Sequence, residues 1–216
     1  MSDIFREVDE DVRAQEYLRL WRTYGKYVIA AMVAIVIGTA ASVAWRNYQS
    51  DKMRTEGDKF AAAKALFDDG KYADAAAAFE TIGKEAGNGY ALVARLQAAE
   101  ALIRDGKTDE AIKAYDAIAA DTSYDKIYRD LATLSSVMQQ MDTGDPATLK
   151  GRLEPLNTEE STWRFSAQEL LAALALKTGE TDTANDLFKG LSENPDAPSG
   201  IRDRAKEMLS AMGAKS

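Results

Sequence analysis

The sequence predicts an all-α protein: a single transmembrane helix followed by a solenoid of helical hairpins. Three observations predict it. An uncharged apolar run covers residues 27–45. Beyond it, glycines recur at intervals of 36, 38 and 35 residues. The same later part is rich in Ala, Leu, Glu, Asp and Lys, and only four prolines interrupt it, a helix-favouring composition.

The apolar run is Tyr27-Val-Ile-Ala-Ala-Met-Val-Ala-Ile-Val-Ile-Gly-Thr-Ala-Ala-Ser-Val-Ala-Trp45. At about 1.5 Å per residue it reaches roughly 28 Å, close to the hydrocarbon thickness of a bilayer. Trp21, Tyr24 and Tyr27 stand at one end and Trp45 and Tyr48 at the other, as an interfacial aromatic belt requires, with Lys26 and Arg46 bracketing the run. A buried core helix would carry a polar face, and this stretch has none. Ser42-Val-Ala44 could serve as a signal-peptidase motif. The long tail before the run, with Asp3, Glu7, Asp9, Glu10, Asp11 and Glu16, is unlike a short basic signal region, so an uncleaved anchor is expected. Positive charges flank both ends, so the charge count leaves orientation open. A short tail ahead of a large domain is the usual arrangement with the tail in the cytoplasm. Ala30, Ala34, Gly38 and Ser42 recur every four residues and form a small-residue stripe that would let a second membrane helix, from a partner or another copy, approach closely.

Composition narrows the chemistry. The 216 residues carry a net charge of −8, with neither histidine nor cysteine. That removes the commonest general base, any thiol nucleophile, any zinc–thiolate site and any disulfide. It also leaves no basic surface for nucleic acid. The paired carboxylates Asp68-Asp69 and Glu159-Glu160 are sequence neighbours, and neighbours on a helix point in different directions, so they do not converge on one substrate atom. Gly83, Gly87 and Gly89 lack the strand, spacing and lysine of a phosphate loop. No catalytic, cofactor-binding or metal-binding residue is expected.

The glycines that mark the period are Gly70, Gly106, Gly144 and Gly179. Five residues after them stand Ala75, Ala111, Leu149 and Ala184; nine after, Phe79, Tyr115, Leu153 and Phe188; twelve after, Ile82, Ile118, Leu156 and Leu191. Seven before them stand Ala63, Ala99, Val137 and Ala172. Small residues let the two helices of a hairpin close up, bulky ones fill the space between hairpins, and glycine makes the turn. Punctuation agrees. Asp145-Pro146 reads as an N-cap with proline at the first helical position, and Asn157-Thr-Glu-Glu160 as a capping box opening a helix to about Lys177. Asn194 to Gly200 reads as a loop and Ile201 to Met212 as a polar-faced final helix that caps the stack. The expected organisation is thus a cytoplasmic tail (1–26), the membrane helix (27–45), a juxtamembrane continuation (46–60) and a repeat domain with its capping helix (61–216).

In Gly70-Lys-Tyr-Ala-Asp-Ala75-Ala-Ala-Ala-Phe79, Gly106-Lys-Thr-Asp-Glu-Ala111-Ile-Lys-Ala-Tyr115 and Gly179-Glu-Thr-Asp-Thr-Ala184-Asn-Asp-Leu-Phe188 the chain resembles the tetratricopeptide repeat family, in degenerate form. The unit at Gly144 departs from the pattern, with Leu149 in place of the small residue and Pro155 interrupting the helix. The resemblance implies a concave groove lined by first helices, with Asp58, Val93, Leu131 and Ser166 at equivalent positions and Ala61, Leu96, Leu134 and Glu169 one turn on. That lining is apolar and acidic, which suits extended or unfolded protein segments and lacks a basic carboxylate clamp.

The order of a short acidic tail beginning Ser2-Asp-Ile-Phe-Arg-Glu-Val, the motif Trp21-Arg-Thr-Tyr-Gly-Lys26, one membrane helix and degenerate repeats resembles the YfgM-like family of bacterial inner-membrane proteins. The resemblance implies an ancillary subunit of the SecYEG translocon with a periplasmic repeat domain, in contact with exported clients and periplasmic chaperones. The competing expectation is an envelope assembly factor, at the division site or in cytochrome maturation, that reaches its clients through the repeats alone. A homo-oligomer would use the same small-residue stripe.

Overall fold

One helix, α1, runs unbroken from Ser2 to Asp68. The computed structural model describes residues 2–86 and 88–213, and the side chains of 2–17, 88 and 89 are left aside. The tail acids Asp3 to Glu16, Gly87 and the last three residues therefore lie outside the described side chains. The chain divides into two compact units, residues 1–55 and 56–216.

In the first unit every residue from Lys26 to Thr55 is exposed, on all sides of α1. The helix is long and apolar enough to cross a membrane by length and composition, and none of its apolar window is buried within the protein. Side chains at the ends of that run settle on the helix itself. Trp21 lies over Gly25, where a Cβ would come within 3.2 Å of the indole. Lys26 sits 5.0 Å from the centroid of Tyr27, and Trp45 packs against Tyr48 at 6.2 Å. Thr39, a polar residue inside the run, donates its hydroxyl to the Val36 carbonyl at 3.1 Å, satisfying it without outside help.

The second unit is built from the end of α1 and eight further helices: α2 (Tyr72–Glu85), α3 (Asn88–Arg104), α4 (Thr108–Ala120), α5 (Lys126–Gln140), α6 (Pro146–Leu153), α7 (Arg164–Lys177), α8 (Thr181–Glu193) and α9 (Ser199–Ala211). No strand occurs among the described residues. The pairing follows from the repeat columns. Ala75, Ala111, Ala184, Ala63, Ala99, Val137 and Ala172 are at most 1% exposed, and the bulky columns, Phe79, Tyr115 and Phe188 with Ile82, Ile118 and Leu191, are at most 6% exposed. Leu149, Leu153 and Leu156 are buried as well. Each apolar cluster joins consecutive helices. Phe79 and Ala98 share one, Tyr115 and Ala132 the next, Leu153 and Leu171 the third, Phe188 and Ile201 the last. A layer is therefore closed only when the following hairpin arrives, as in a solenoid.

Three of the four turns at the repeat glycines are the same Schellman motif. Gly70, Gly106 and Gly179 have φ of +78°, +78° and +82°, a region open to glycine at no steric cost. In each, the following N–H reaches back to close the helix: Lys71 to Leu66 O at 2.9 Å, Lys107 to Leu102 O at 2.8 Å, Glu180 to Ala175 O at 2.8 Å. Gly144 differs. Its φ is not positive, and glycine is required there for room, because a Cβ would stand 2.9 Å from Gln140 O and 3.1 Å from a Leu149 methyl. The hairpin it serves is also shorter. Asp145 caps α6, its carboxylate accepting from Thr148 N at 2.8 Å, and Pro155 ends the helix in a single 3₁₀ turn, Glu154–Leu156.

Two expected boundaries are corrected. Asn157 does not open α7. Its side-chain oxygen accepts from Gln168 Nε2 at 2.8 Å, residues 157–163 form turns, and α7 starts at Arg164. The carboxamide expected to cap a helix is instead held by the helix that follows. The final helix starts at Ser199, two residues before the expected Ile201. Its Arg202 then reaches back to the Pro195 carbonyl at 3.2 Å.

Polar links between hairpins fall one repeat apart. Arg152 bonds Asp116, Trp163 Nε1 bonds Ile127 O at 2.8 Å and Lys177 bonds Asp142 O at 2.8 Å. Arg204 grips Glu169 with two nitrogens at 2.6 and 2.7 Å. These links and the shared clusters set the odd-numbered helices side by side as one row, with the even-numbered helices behind them.

Candidate functional site

The row of odd-numbered helices presents the candidate binding face. Val93 on α3 is 45% exposed. Leu96 and Leu131 are half-buried, Leu96 against the cluster of Leu92, Tyr115 and Ile118. Leu134 does not fit the expectation. It is only 6% exposed and packs with Leu153 and Leu171, because the short α6 lets α7 close over it, so it belongs to the core. Glu169 is taken by the two-pronged ion pair with Arg204 and is not a free acidic group on the face. The first repeat lies one residue off the expected register. Counted back from the turn glycines, Phe60 and not Ala61 matches Leu96. Phe60 is half-buried, 5.1 Å from the Phe79 ring and 6.0 Å from that of Tyr90.

Sequence reasoning missed the larger exposed side chains of this face. Tyr90 is 37% exposed, Ile127 40%, Tyr128 42% and Met138 54%. A signal was present: Tyr90, Tyr128 and Trp163 all stand sixteen residues before a turn glycine, the same position of three successive hairpins. Core columns show themselves by their near-uniform size, whereas this column mixes exposed Tyr90 and Tyr128 with half-buried Trp163 and is held to no single size.

Two crevices open on the opposite side, each of about 510 Å³. One lies between α2 and α4 over α3 and is lined largely by alanines, Ala73, Ala76, Ala77, Ala98, Ala114 and Ala117. The other lies between α6 and α8 over α7. The charged groups at the rim of the first are paired, Lys84 with Glu80 at 2.7 Å and Lys107 with Asp105 at 2.8 Å. The Asp105 carboxylate holds the Lys107 ammonium above its ordinary pKa. Among the described residues no three His, Cys, Asp or Glu side chains gather as a metal site needs.

Other perturbed groups have structural causes. The Ser123 hydroxyl and N–H pull Asp121 down, and Thr148 does the same for Asp145. Burial of the Tyr115 phenol, aided by Glu100, pushes it up to about 12.

Ala30, Ala34, Gly38 and Ser42 are all exposed along α1 in the first unit, and a Cβ on Gly38 would meet nothing within 4 Å.

Compared with known proteins, the chain matches the sequence profile of a tetratricopeptide repeat-like domain over residues 19–195. The match begins ahead of the apolar run of α1 and ends just after α8. No curated protein and no solved structure matches the chain.

Proposed function

The chain belongs to the tetratricopeptide repeat-like domain family, and from that membership we propose that it is a non-catalytic, membrane-anchored scaffold that binds other proteins through its hairpin array. The observation that carries the reading is the contrast between the units. The hairpins bury their apolar columns to within a few per cent, whereas the apolar stretch of α1 buries nothing. An uncovered apolar helix of that length is stable in lipid and costly in water, at about 25 cal/mol per Å² of apolar surface. That the family profile starts at Arg19 supports treating the apolar helix as part of the family's working unit.

The finer reading is an ancillary subunit of the SecYEG translocon in a bacterial inner membrane. The N-terminus lies in the cytoplasm and the repeats lie in the periplasm, contacting newly exported chains and their chaperones. Exposed Val93, Tyr128 and Met138 supply the apolar contacts that emerging segments need. The stripe of Ala30, Ala34, Gly38 and Ser42 supplies the approach to translocon helices.

A photo-crosslinking amino acid at Ala34, irradiated in intact cells, tests the partner. Adducts to Sec subunits are expected; self-adducts alone would replace the translocon reading with a homo-oligomer. Orientation is tested separately. The chain has no cysteine, so Ser50→Cys and Ser210→Cys report directly with an impermeant maleimide, and labelling of both from the outer side of the inner membrane is expected. Protection of both would reverse the topology.

A further inference from the structure

The N-terminal end of the apolar run is not the same on all sides of α1. Arg19, Arg22 and Lys26 follow one another at three- and four-residue intervals, and all three are exposed. With 3.6 residues per turn they share one stripe about 60° wide. Leu20, Trp21, Tyr24 and Val28 take the opposite half of the helix and are exposed as well. We infer that Arg19, Arg22 and Lys26 form a binding stripe for the headgroups of anionic phospholipids, in the leaflet that holds the N-terminal end of the span. The inference rests on the reading that α1 crosses a membrane, and it names the lipid that this end of the span gathers.

Charge argues for an anion from outside the chain. The last acid before the run is Glu16 and the next is Asp51. Charges on a helix pair at spacings of three or four residues, so neither Arg22 nor Lys26 has a carboxylate in reach. What stands at those spacings is more positive charge, with Arg22 between Arg19 and Lys26. Like charges so placed repel, and an anion seated against the stripe relieves the repulsion. The Lys26 ammonium rests 5.0 Å from the Tyr27 centroid, a contact that supplies no full negative charge. The other end of the run differs. Arg46, Lys52 and Arg54 are interleaved with Asp51 and Glu56, and Lys59 is held by Glu85 at 2.9 Å.

Position argues for lipid. Lys26 adjoins the first residue of the run, and along the axis Arg22 stands about 6 Å and Arg19 about 10 Å further out. The headgroup layer on each side of the hydrocarbon core is about 5–7 Å deep. Long Arg and Lys side chains bend their charged ends along the helix, which brings all three cations to the phosphates of that layer. Trp21 and Tyr24 on the opposite half are the residue types that settle at the same depth. A zwitterionic lipid offsets its own phosphate with an ammonium group. Phosphatidylglycerol carries no such offset and gains more from the stripe.

The test uses the full chain reconstituted in phospholipid vesicles, with tryptophan quenching by lipids that carry brominated acyl chains. The tryptophans are Trp21, Trp45 and Trp163. Trp21 reports the tail end in the Trp45→Phe, Trp163→Phe protein, and Trp45 reports the other end in the Trp21→Phe, Trp163→Phe protein. Brominated phosphatidylglycerol is expected to compete for the surroundings of Trp21 about threefold better than brominated phosphatidylcholine, with a smaller preference at Trp45. High salt should narrow the difference at Trp21. Arg19→Gln, Arg22→Gln and Lys26→Gln together should abolish it with helicity unchanged, whereas Arg19→Lys with Arg22→Lys should keep it. Equal quenching by the two lipids at Trp21, or a preference that survives the triple substitution, overturns the inference and leaves the stripe to an acidic partner protein. Alkaline extraction of the vesicles separates this inference from the reading beneath it. A chain that stays in the vesicles without lipid preference keeps the anchor and loses the lipid stripe. A chain stripped from them loses both.

Discussion

Arg152 on α6 donates to the Asp116 carboxylate on α4 across 2.5 Å, one full repeat apart in sequence. The same carboxylate oxygen accepts the hydroxyl of Ser136 on α5 at 2.6 Å, and Ser136 is the buried polar residue of an otherwise apolar stack. Gln140 completes the group, donating to Ser136 Oγ at 3.0 Å. This polar pin sits at the hairpin whose turn is irregular and whose second helix is shortest, where apolar contact alone is thinnest. Asp116→Ala is expected to cost about 1–2 kcal/mol, because it leaves the Ser136 hydroxyl without an acceptor as well as breaking the ion pair. Urea unfolding measures it. Arg152→Met alone should cost less, since half-exposed Asp116 keeps its bond from Ser136.

Glycines divide into two kinds with opposite expected outcomes. Gly106→Ala places a Cβ at φ +78°, where an L-residue is strained although space is free, and a loss of about 1–2 kcal/mol is expected. Gly190 lies inside α8 with open space around its Cβ position. Gly190→Ala should therefore stabilise by about 0.5–1 kcal/mol. Thermal unfolding of the pair, run in parallel, separates backbone strain from helix propensity.

The small column is a limit on volume. Ala111 is 0% exposed at the contact of α4 with its neighbours. Ala111→Leu has no room to expand into and is expected to lose about 1–3 kcal/mol. Phe188→Ala, which empties the opposite kind of site, should lose about 3–5 kcal/mol. A chain that tolerated Ala111→Leu without loss of Tm would show the hairpins to be loosely stacked.

Tyr115 sets an alkaline limit. Its phenol is raised to about 12 by burial, from an ordinary value near 10, so the folded state keeps a proton that the unfolded state releases. Stability from this group is complete below pH 10 and falls as pH climbs from 10 through 12. Tyr115→Phe removes the titration, and its unfolding free energy should decline less than the parent's across that window.

Val93 and Leu96 lie three residues apart and separate binding from folding. Val93→Glu on the exposed face should leave helicity and Tm near the parent's while reducing adducts to partner proteins. Leu96→Glu drives a charge into the cluster around Tyr115 and should lower Tm by several degrees. Circular dichroism alongside crosslinking reads both.

Which parts of this protein were legible from its residues follows a physical division. Burial constrains side-chain size at the same register of the regular hairpins, so Ala75 and Ala111, or Phe79 and Tyr115, announce themselves as columns, with Leu149 the exception at the shortened hairpin. The Asp145-Pro146 cap was legible for the same reason, since a side chain bonding its own helix needs only local sequence. Asn157 misled because two uses compete for one carboxamide. The tertiary partner Gln168 lies eleven residues on, and spacing alone gives no hint that it wins. Leu134 misled in a related way: its exposure depends on how short α6 is, a property of another segment. Tyr90 and Tyr128 are surface residues, free of the packing constraint that makes a column uniform.

Each apolar cluster is completed by helices that follow one another directly along the chain. This ordering has a consequence in time. No layer waits for a distant segment, so the loops that must close are short and the entropy of closing them is small. During synthesis, once α3 has emerged, Phe79 and Ala98 can already meet, and each later hairpin covers the flank left bare by the one before. The chain can thus fold in the order in which it is made, with at most one hairpin's apolar flank bare to water at any moment.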